Sequence, residues 1–122
     1  MSQPLNAEAA SNSVLVEHLI RQQQRGRSLA QPFYTSDAVF QHDMETVFMR
    51  HWLCLGHESQ VRQPGDYLTR DIGSESVIVV RDRSNVLRAF ANVCRHRGSR
   101  ICSKESGTTA MLVCPYHAWT YD

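Results

Sequence analysis

Two short stretches limit what this chain can become: Cys94-Arg95-His96-Arg97-Gly98 and Cys114-Pro115-Tyr116-His117-Ala118-Trp119. Each offers one thiolate and one imidazole, with seventeen residues between His96 and Cys114. Two such pairs on two loops supply four ligands, the number a closed tetrahedral metal site uses. A structural zinc is the plain reading of two Cys and two His. The spacing departs from a zinc finger, because Cys-x-His is tighter than a Cys-x2–4-Cys arm and neither His is paired with a second His.

The interleaved order allows something else. Each loop can give its Cys to one iron and its His to another, which is the split ligation of a Rieske [2Fe–2S] centre. The run Cys-x-His-x17-Cys-x2-His, with Arg-Gly after His96 and Trp119 two residues past His117, resembles the Rieske domain of Rieske-type non-haem iron oxygenases, the ring-hydroxylating dioxygenase large (alpha) subunits. The resemblance implies that Cys94 and Cys114 hold an inner iron as thiolates, while His96 and His117 hold an outer iron as neutral imidazoles. Replacing two thiolates by neutral ligands removes negative charge, which raises the potential by some hundreds of millivolts over plant-type ferredoxins. Gly98 would let backbone amides approach the sulfurs, Trp119 would pack behind the second loop, and Arg95, Arg97 and Arg100 would form a basic rim. In respiratory Rieske proteins a disulfide braces the two loops. Ser99 and Tyr116 stand at those places here, so that brace is absent.

Length and charge agree with one modest domain. The chain has 122 residues, 42% hydrophobic, with a formal net charge of +1, which speaks against a nucleic-acid partner. No apolar run approaches the roughly 20 residues of a membrane helix, and the first residues lack a signal-peptide pattern. A cytoplasmic location is expected, with Cys54 and Cys102 as buried free thiols.

Along the chain, residues 1–12 read as a disordered N-terminus, 13–52 as a helical lead-in and 53–122 as the Rieske domain. Leu15, Val16, Leu19 and Ile20 make one apolar stripe, capped by Ser13 and stopped near Gly26. Pro32 blocks a helix between residues 28 and 34. A second helix over residues 36–50 would bury Val39, Phe40, Met44, Val47 and Phe48. His42 and His51 on or near it read as solvent-facing or hydrogen-bonded. Strands are expected at 52–55, 67–72, 76–80, 86–93, 110–113 and 118–121, with turns at Pro64-Gly65 and over residues 82–85. The fold class is mainly β with N-terminal helices, an antiparallel β-sandwich or small barrel of the Rieske type. The run from Asp37 through Phe48 to Trp52 is also similar to the lead-in of oxygenase large subunits, so the resemblance covers most of residues 28–122.

The function expected from this resemblance is one-electron transfer through a Rieske [2Fe–2S] cluster, as the domain through which electrons enter a non-haem iron oxygenase. A stand-alone Rieske ferredoxin-like carrier is the rival, and a zinc-stabilised interaction module the weaker one. The mononuclear Fe(II) of such oxygenases is expected only in a C-terminal catalytic domain beyond Asp122. His51 and His57 lie six apart with no carboxylate at the family spacing. The chain reads as a truncated gene or fragment that takes up electrons without oxygenating substrate. The implied partners are an NAD(P)H-dependent reductase or a ferredoxin as donor, with a homotrimer for the full-length protein. The flanking residues, Ala118 among them, are most similar to the branch that oxidises glycine betaine, choline or carnitine.

Overall fold

The computed structural model of the chain describes residues 4–122, divided into two compact units at Leu53/Cys54. In the first unit, helix α1 spans Pro4–Gln22. It starts nine residues before Ser13, within the segment expected to be disordered; residues 1–3 of that segment lie outside the described residues. Pro4 at the first position has its φ pre-set for a helix, and Ala7, Ala9 and Ala10 have the highest helix propensity. That local preference outweighs the polar composition. Of the expected stripe, Val16 and Leu19 are buried, whereas Leu15 and Ile20 are exposed. Val16 and Leu19 form one cluster with Val39, and Phe33 packs against it.

Pro32 opens a short helix α2, Pro32–Thr35, rather than preventing one; at a first helical position its missing N–H costs nothing. Helix α3, Asp37–Asp43, follows and passes into a π-helical turn, Met44–Phe48. The Met49 amide donates to the Met44 carbonyl at 3.0 Å, an i→i−5 bond, and the Thr46 hydroxyl donates to the His42 carbonyl at 2.7 Å. This wider turn breaks the 3.6-residue period on which the expected buried face rests. Val39 is buried as expected, but Phe40, Val47 and Phe48 are exposed.

The second unit is antiparallel throughout. Strands β1 (Asp66–Ile72), β2 (Glu75–Arg81), β3 (Leu87–Ala91) and β4 (Ser106–Thr108) form a sheet in the order β3-β2-β1-β4. Tyr67 faces Val80, Ile78 faces Phe90, and Leu68 faces Ser106. Val61, Tyr67, Leu68 and Ile78 supply its buried apolar side chains. Strands β5 (Leu112–Val113) and β6 (Thr120–Tyr121) form a separate two-stranded ribbon.

Several local features have plain causes. The β2–β3 turn is held by Asp82, whose carboxylate accepts from the Val86 amide at 2.8 Å and from Arg88 Nε at 2.6 Å. Asn85 takes the left-handed conformation that this residue type tolerates. Residues 52–55 form no strand: the Leu55 carbonyl accepts from Arg70 Nε at 3.1 Å instead of from a neighbouring backbone. Strand β4 has no apolar alternation to announce it, since Ser-Gly-Thr carries no hydrophobic residue. No helix among the described residues is long and apolar enough to cross a membrane.

Candidate metal centre

The sheet and the ribbon each launch one of the two Cys/His loops. Strand β3 ends at Ala91 and leads to Cys94; strand β5 ends at Val113, immediately before Cys114. The loops share one backbone frame. The Cys94 amide donates to the Ser99 carbonyl at 2.8 Å, and the Gly98 amide donates back to the Cys94 carbonyl at 2.9 Å. In the second loop the Cys114 amide donates to the Trp119 carbonyl at 2.8 Å, and the Ala118 amide to the Cys114 carbonyl at 3.0 Å. Each frame closes through a left-handed residue four positions after its cysteine, Gly98 at φ 71° and Ala118 at φ 56°. Glycine takes that conformation freely, while alanine is strained in it.

The frames bring all four expected ligands together in two pairs. Cys94 and Cys114 are each only 2% exposed. His96 and His117 are exposed, and their rings meet edge to face with centroids 4.9 Å apart. The shared frame explains how Cys-x-His and Cys-x-x-His can serve one site: the cysteines occupy equivalent positions and the histidines adjacent ones. Among the described residues, no three His, Cys, Asp or Glu side chains are grouped as a single metal ion would need. The donors divide instead into a buried sulfur pair and an exposed nitrogen pair.

Hydrogen bonds prepare the sulfur end for negative charge. The Tyr121 hydroxyl lies 3.1 Å from Cys94 Sγ and also accepts from the Arg95 amide at 3.2 Å. Tyr121 is the chief cause holding the Cys94 thiol below its ordinary range, followed by the His96 amide, with Cys114 and the Arg97 amide adding to it and burial opposing it. The same contact with Cys94 pushes the Tyr121 phenol up. A thiolate is the form that binds iron, so this donor set fits a [2Fe–2S] group with its thiolates inside and its imidazoles at the surface.

Asn92 braces the first loop from below. It is 3% exposed. Its Nδ2 donates to the Ser76 hydroxyl at 3.1 Å and to the Cys102 carbonyl at 2.7 Å. Its Oδ1 accepts from the Ile101 and Cys102 amides at 3.1 and 2.8 Å. Sequence reasoning missed both Asn92 and Tyr121 as supports of the site. The signal available for Asn92 was a strand-disfavouring amide inside the expected strand 86–93, two residues before Cys94. For Tyr121 it was only a phenol close to the second cluster loop.

Two expectations about neighbouring residues need correction. Trp119 does not pack behind its own loop; it is half-exposed and stacks on His96 of the other loop, centroids 4.9 Å apart and planes 2° from parallel. Cys54 is exposed rather than buried, because the residues around it are in no strand; Cys102 is partly buried, which pushes its thiol up. Of the three rim arginines, Arg100 pairs with Asp71 at 3.1 Å. His57 caps the short 3-10 turn Glu58–Gln60, its Nδ1 accepting from the Ser59 amide at 3.2 Å.

Comparison with known proteins agrees with the geometry. The family model for the Rieske [2Fe-2S] domain matches residues 51–122. The chain is 47% identical over 104 residues to the glycine betaine monooxygenase oxygenase subunit of Chromohalobacter salexigens, covering 85% of this chain and 23% of that protein. It is 47% identical over 89 residues to the benzene 1,2-dioxygenase subunit alpha of Pseudomonas putida, covering 73% of this chain and 20% of that one. Among solved structures, the quaternary ammonium Rieske monooxygenase CntA in complex with L-carnitine superposes with a TM-score of 0.68 at 44% identity, over 75% of this chain and 26% of that one. Naphthalene 1,2-dioxygenase from Rhodococcus sp. gives 0.73 at 31% identity, over 99% of this chain and 26% of that chain. The chain thus spans about a quarter of the length of these relatives. It belongs to the Rieske [2Fe–2S] family, and its domain is of the kind through which electrons enter oxygenase alpha subunits.

Proposed function

We propose that Cys94, Cys114, His96 and His117 hold the [2Fe–2S] cluster and that the chain serves as the electron-accepting part of a Rieske oxygenase. The observation that carries this is the sorting of the four side chains, sulfurs buried and imidazoles in ring contact at the surface. Bound there, the cluster supplies a one-electron carrier of intermediate potential. The chain's own residues do the rest. Tyr121 and the loop amides stabilise negative charge at Cys94, and the exposed imidazoles bring the outer end of the site to the surface, where a donor can approach.

The wider reading is also a proposal. The support for a quaternary-ammonium substrate is the loop sequence ending in His117-Ala118-Trp119, together with the betaine and carnitine oxygenase relatives. An NAD(P)H-dependent reductase or ferredoxin fits as the donor, a homotrimer as the assembly of the full-length protein and the cytoplasm as the compartment, in keeping with Cys54 and Cys102 as free thiols. The test is anaerobic reconstitution with iron and sulfide, followed by potentiometric titration under EPR. Two irons and two labile sulfides per chain, with a one-electron wave and a reduced-state signal, are expected. A colourless, EPR-silent chain after reconstitution would refute the reading.

A further inference from the structure

Two side-chain contacts reach the first cluster loop from residues 119–121. At the sulfur end the Tyr121 hydroxyl lies 3.1 Å from Cys94 Sγ. At the imidazole end the Trp119 indole covers one face of His96, planes 2° from parallel and centroids 4.9 Å apart. All four cysteines are free, so no disulfide ties the loops together.

The two imidazoles are held differently. His117 meets Tyr116, its own neighbour in the chain, at a 30° tilt and 3.9 Å between centroids. His96 is faced by a ring from the opposite loop, and the backbone beneath that ring is closed on both sides. The Trp119 carbonyl accepts from the Cys114 amide at 2.8 Å, Ala118 before it is left-handed, and Thr120 after it pairs with Val113. A large flat side chain on so closed a frame loses little freedom by holding its partner's ring in one plane.

We propose that Trp119 is a positioning residue for His96, fixing its ring plane against the second loop and favouring the oxidised state of the site. The proposal rests on the cluster reading. The indole face carries partial negative charge, which favours the less negative of two states beneath it. It also keeps water off that face of the imidazole, and water would favour the more negative state. Both effects act in the same direction. The rotation of an imidazole about its bond to a metal sets how its nitrogen shares the metal's unpaired spin, so a fixed plane gives one sharp coupling.

The test compares the reconstituted parent, Trp119→Ala and Trp119→Phe by protein-film voltammetry and by pulsed EPR of the reduced state. Trp119→Ala should raise the midpoint potential; a tenfold loss of preference for the oxidised state reads as about 59 mV, and a rise of up to that size is expected. One histidine nitrogen coupling should broaden while the other stays as in the parent. Trp119→Phe, which keeps a ring face, should restore both readouts. A loop merely loosened would alter both couplings alike, and that result overturns the proposal. So does a potential unchanged or lowered in Trp119→Ala, or a failure of Trp119→Phe to restore it. If Trp119→Ala retains no cluster, Trp119→Leu, apolar without a ring face, must show the same two changes. A Trp119→Leu that matches the parent or also loses the cluster overturns the proposal. A parent with no reduced-state EPR signal refutes the cluster reading itself; a normal parent signal with unaltered variants refutes only the role of Trp119.

Discussion

The Tyr121 hydroxyl sits 3.1 Å from the Cys94 sulfur and joins the closing strand of the ribbon to the first cluster loop. A hydrogen bond to a thiolate favours the cluster state with more negative charge, which is the reduced one. Tyr121→Phe should therefore lower the midpoint potential while leaving the cluster in place. A tenfold change in relative stabilisation of the two states corresponds to about 59 mV for one electron, and a fall of that order is expected. Protein-film voltammetry on both proteins measures it. A potential unchanged or raised in the variant would rule out this role.

The two loop frames predict opposite responses to one methyl group. Ala118 is held at φ 56°, a conformation that costs a non-glycine residue about 1 kcal/mol or more. Ala118→Gly should relieve that strain and leave the chain up to about 1 kcal/mol more stable, after allowing for the freer unfolded glycine. Gly98→Ala should cost about 1 kcal/mol from backbone strain alone, since nothing lies within 4 Å of the added methyl. Urea unfolding of the two variants gives both signs.

Gly65 presents the harsher case. Its φ is 90°, and a methyl there would meet the Thr109 carbonyl oxygen at 2.6 Å. Gly65 and Thr109 are joined by a backbone hydrogen bond of 2.9 Å beside the β1–β4 pairing. Strain and overlap together should make Gly65→Ala destabilising by at least about 2 kcal/mol. A variant as stable as Gly98→Ala would contradict that ranking.

Asn92 should be the most sensitive residue that is not a ligand. Asn92→Leu keeps the volume but removes both donors and the acceptor, leaving the Ile101 and Cys102 amides and the Cys102 carbonyl without their partner. At about 1–3 kcal/mol for a buried group left unpaired, a loss near 3 kcal/mol is expected, accompanied by weaker cluster retention. Urea midpoints and iron content after gel filtration report the two effects separately.

Acid stability follows from three carboxylates, two on strand β1 and one in the β2–β3 turn. Asp66 is held below the usual carboxylate range chiefly by the Thr108 hydroxyl, Asp71 by the Ser76 hydroxyl, and Asp82 by the Val86 amide. A depressed carboxyl contributes stability that is present above its unfolded pKa, about 3.9, and lost as pH falls through its folded value. The urea midpoint should therefore drop below about pH 4. In Asp82→Asn the drop from neutral to acid pH should be smaller. An equal drop would remove Asp82 from the explanation.

How much of this could be read beforehand depended on where the information resides. Cys94, His96, Cys114 and His117 were legible because ligand chemistry demands specific side chains at fixed spacing. The strands at 67–72 and 76–80 were legible from local apolar runs ending at Gly and Asn turns. Strand β4 was not, because Ser106–Thr108 pairs with β1 through backbone bonds that need no apolar pattern. Val47 and Phe48 misled because the π turn after Asp43 shifts the helical period, and its i→i−5 bonding leaves no mark in composition; Phe40, ahead of that turn, is exposed beside the buried Val39 of the same α-helix. Trp119 on His96 joins the two loops and Tyr121 on Cys94 joins strand β6 to the first loop, and spacing within each loop says nothing about either contact.

In the proposed site one iron takes two sulfurs and the other two imidazoles, all four from this chain. Pulsed EPR of the reduced, reconstituted protein tests it most directly, by reading nitrogen couplings to the cluster spin. Two histidine nitrogens strongly coupled in the parent and one in His117→Cys are expected, with Cys114→Ser failing to retain a cluster. A parent signal without strong nitrogen coupling, or two couplings persisting in His117→Cys, would contradict it.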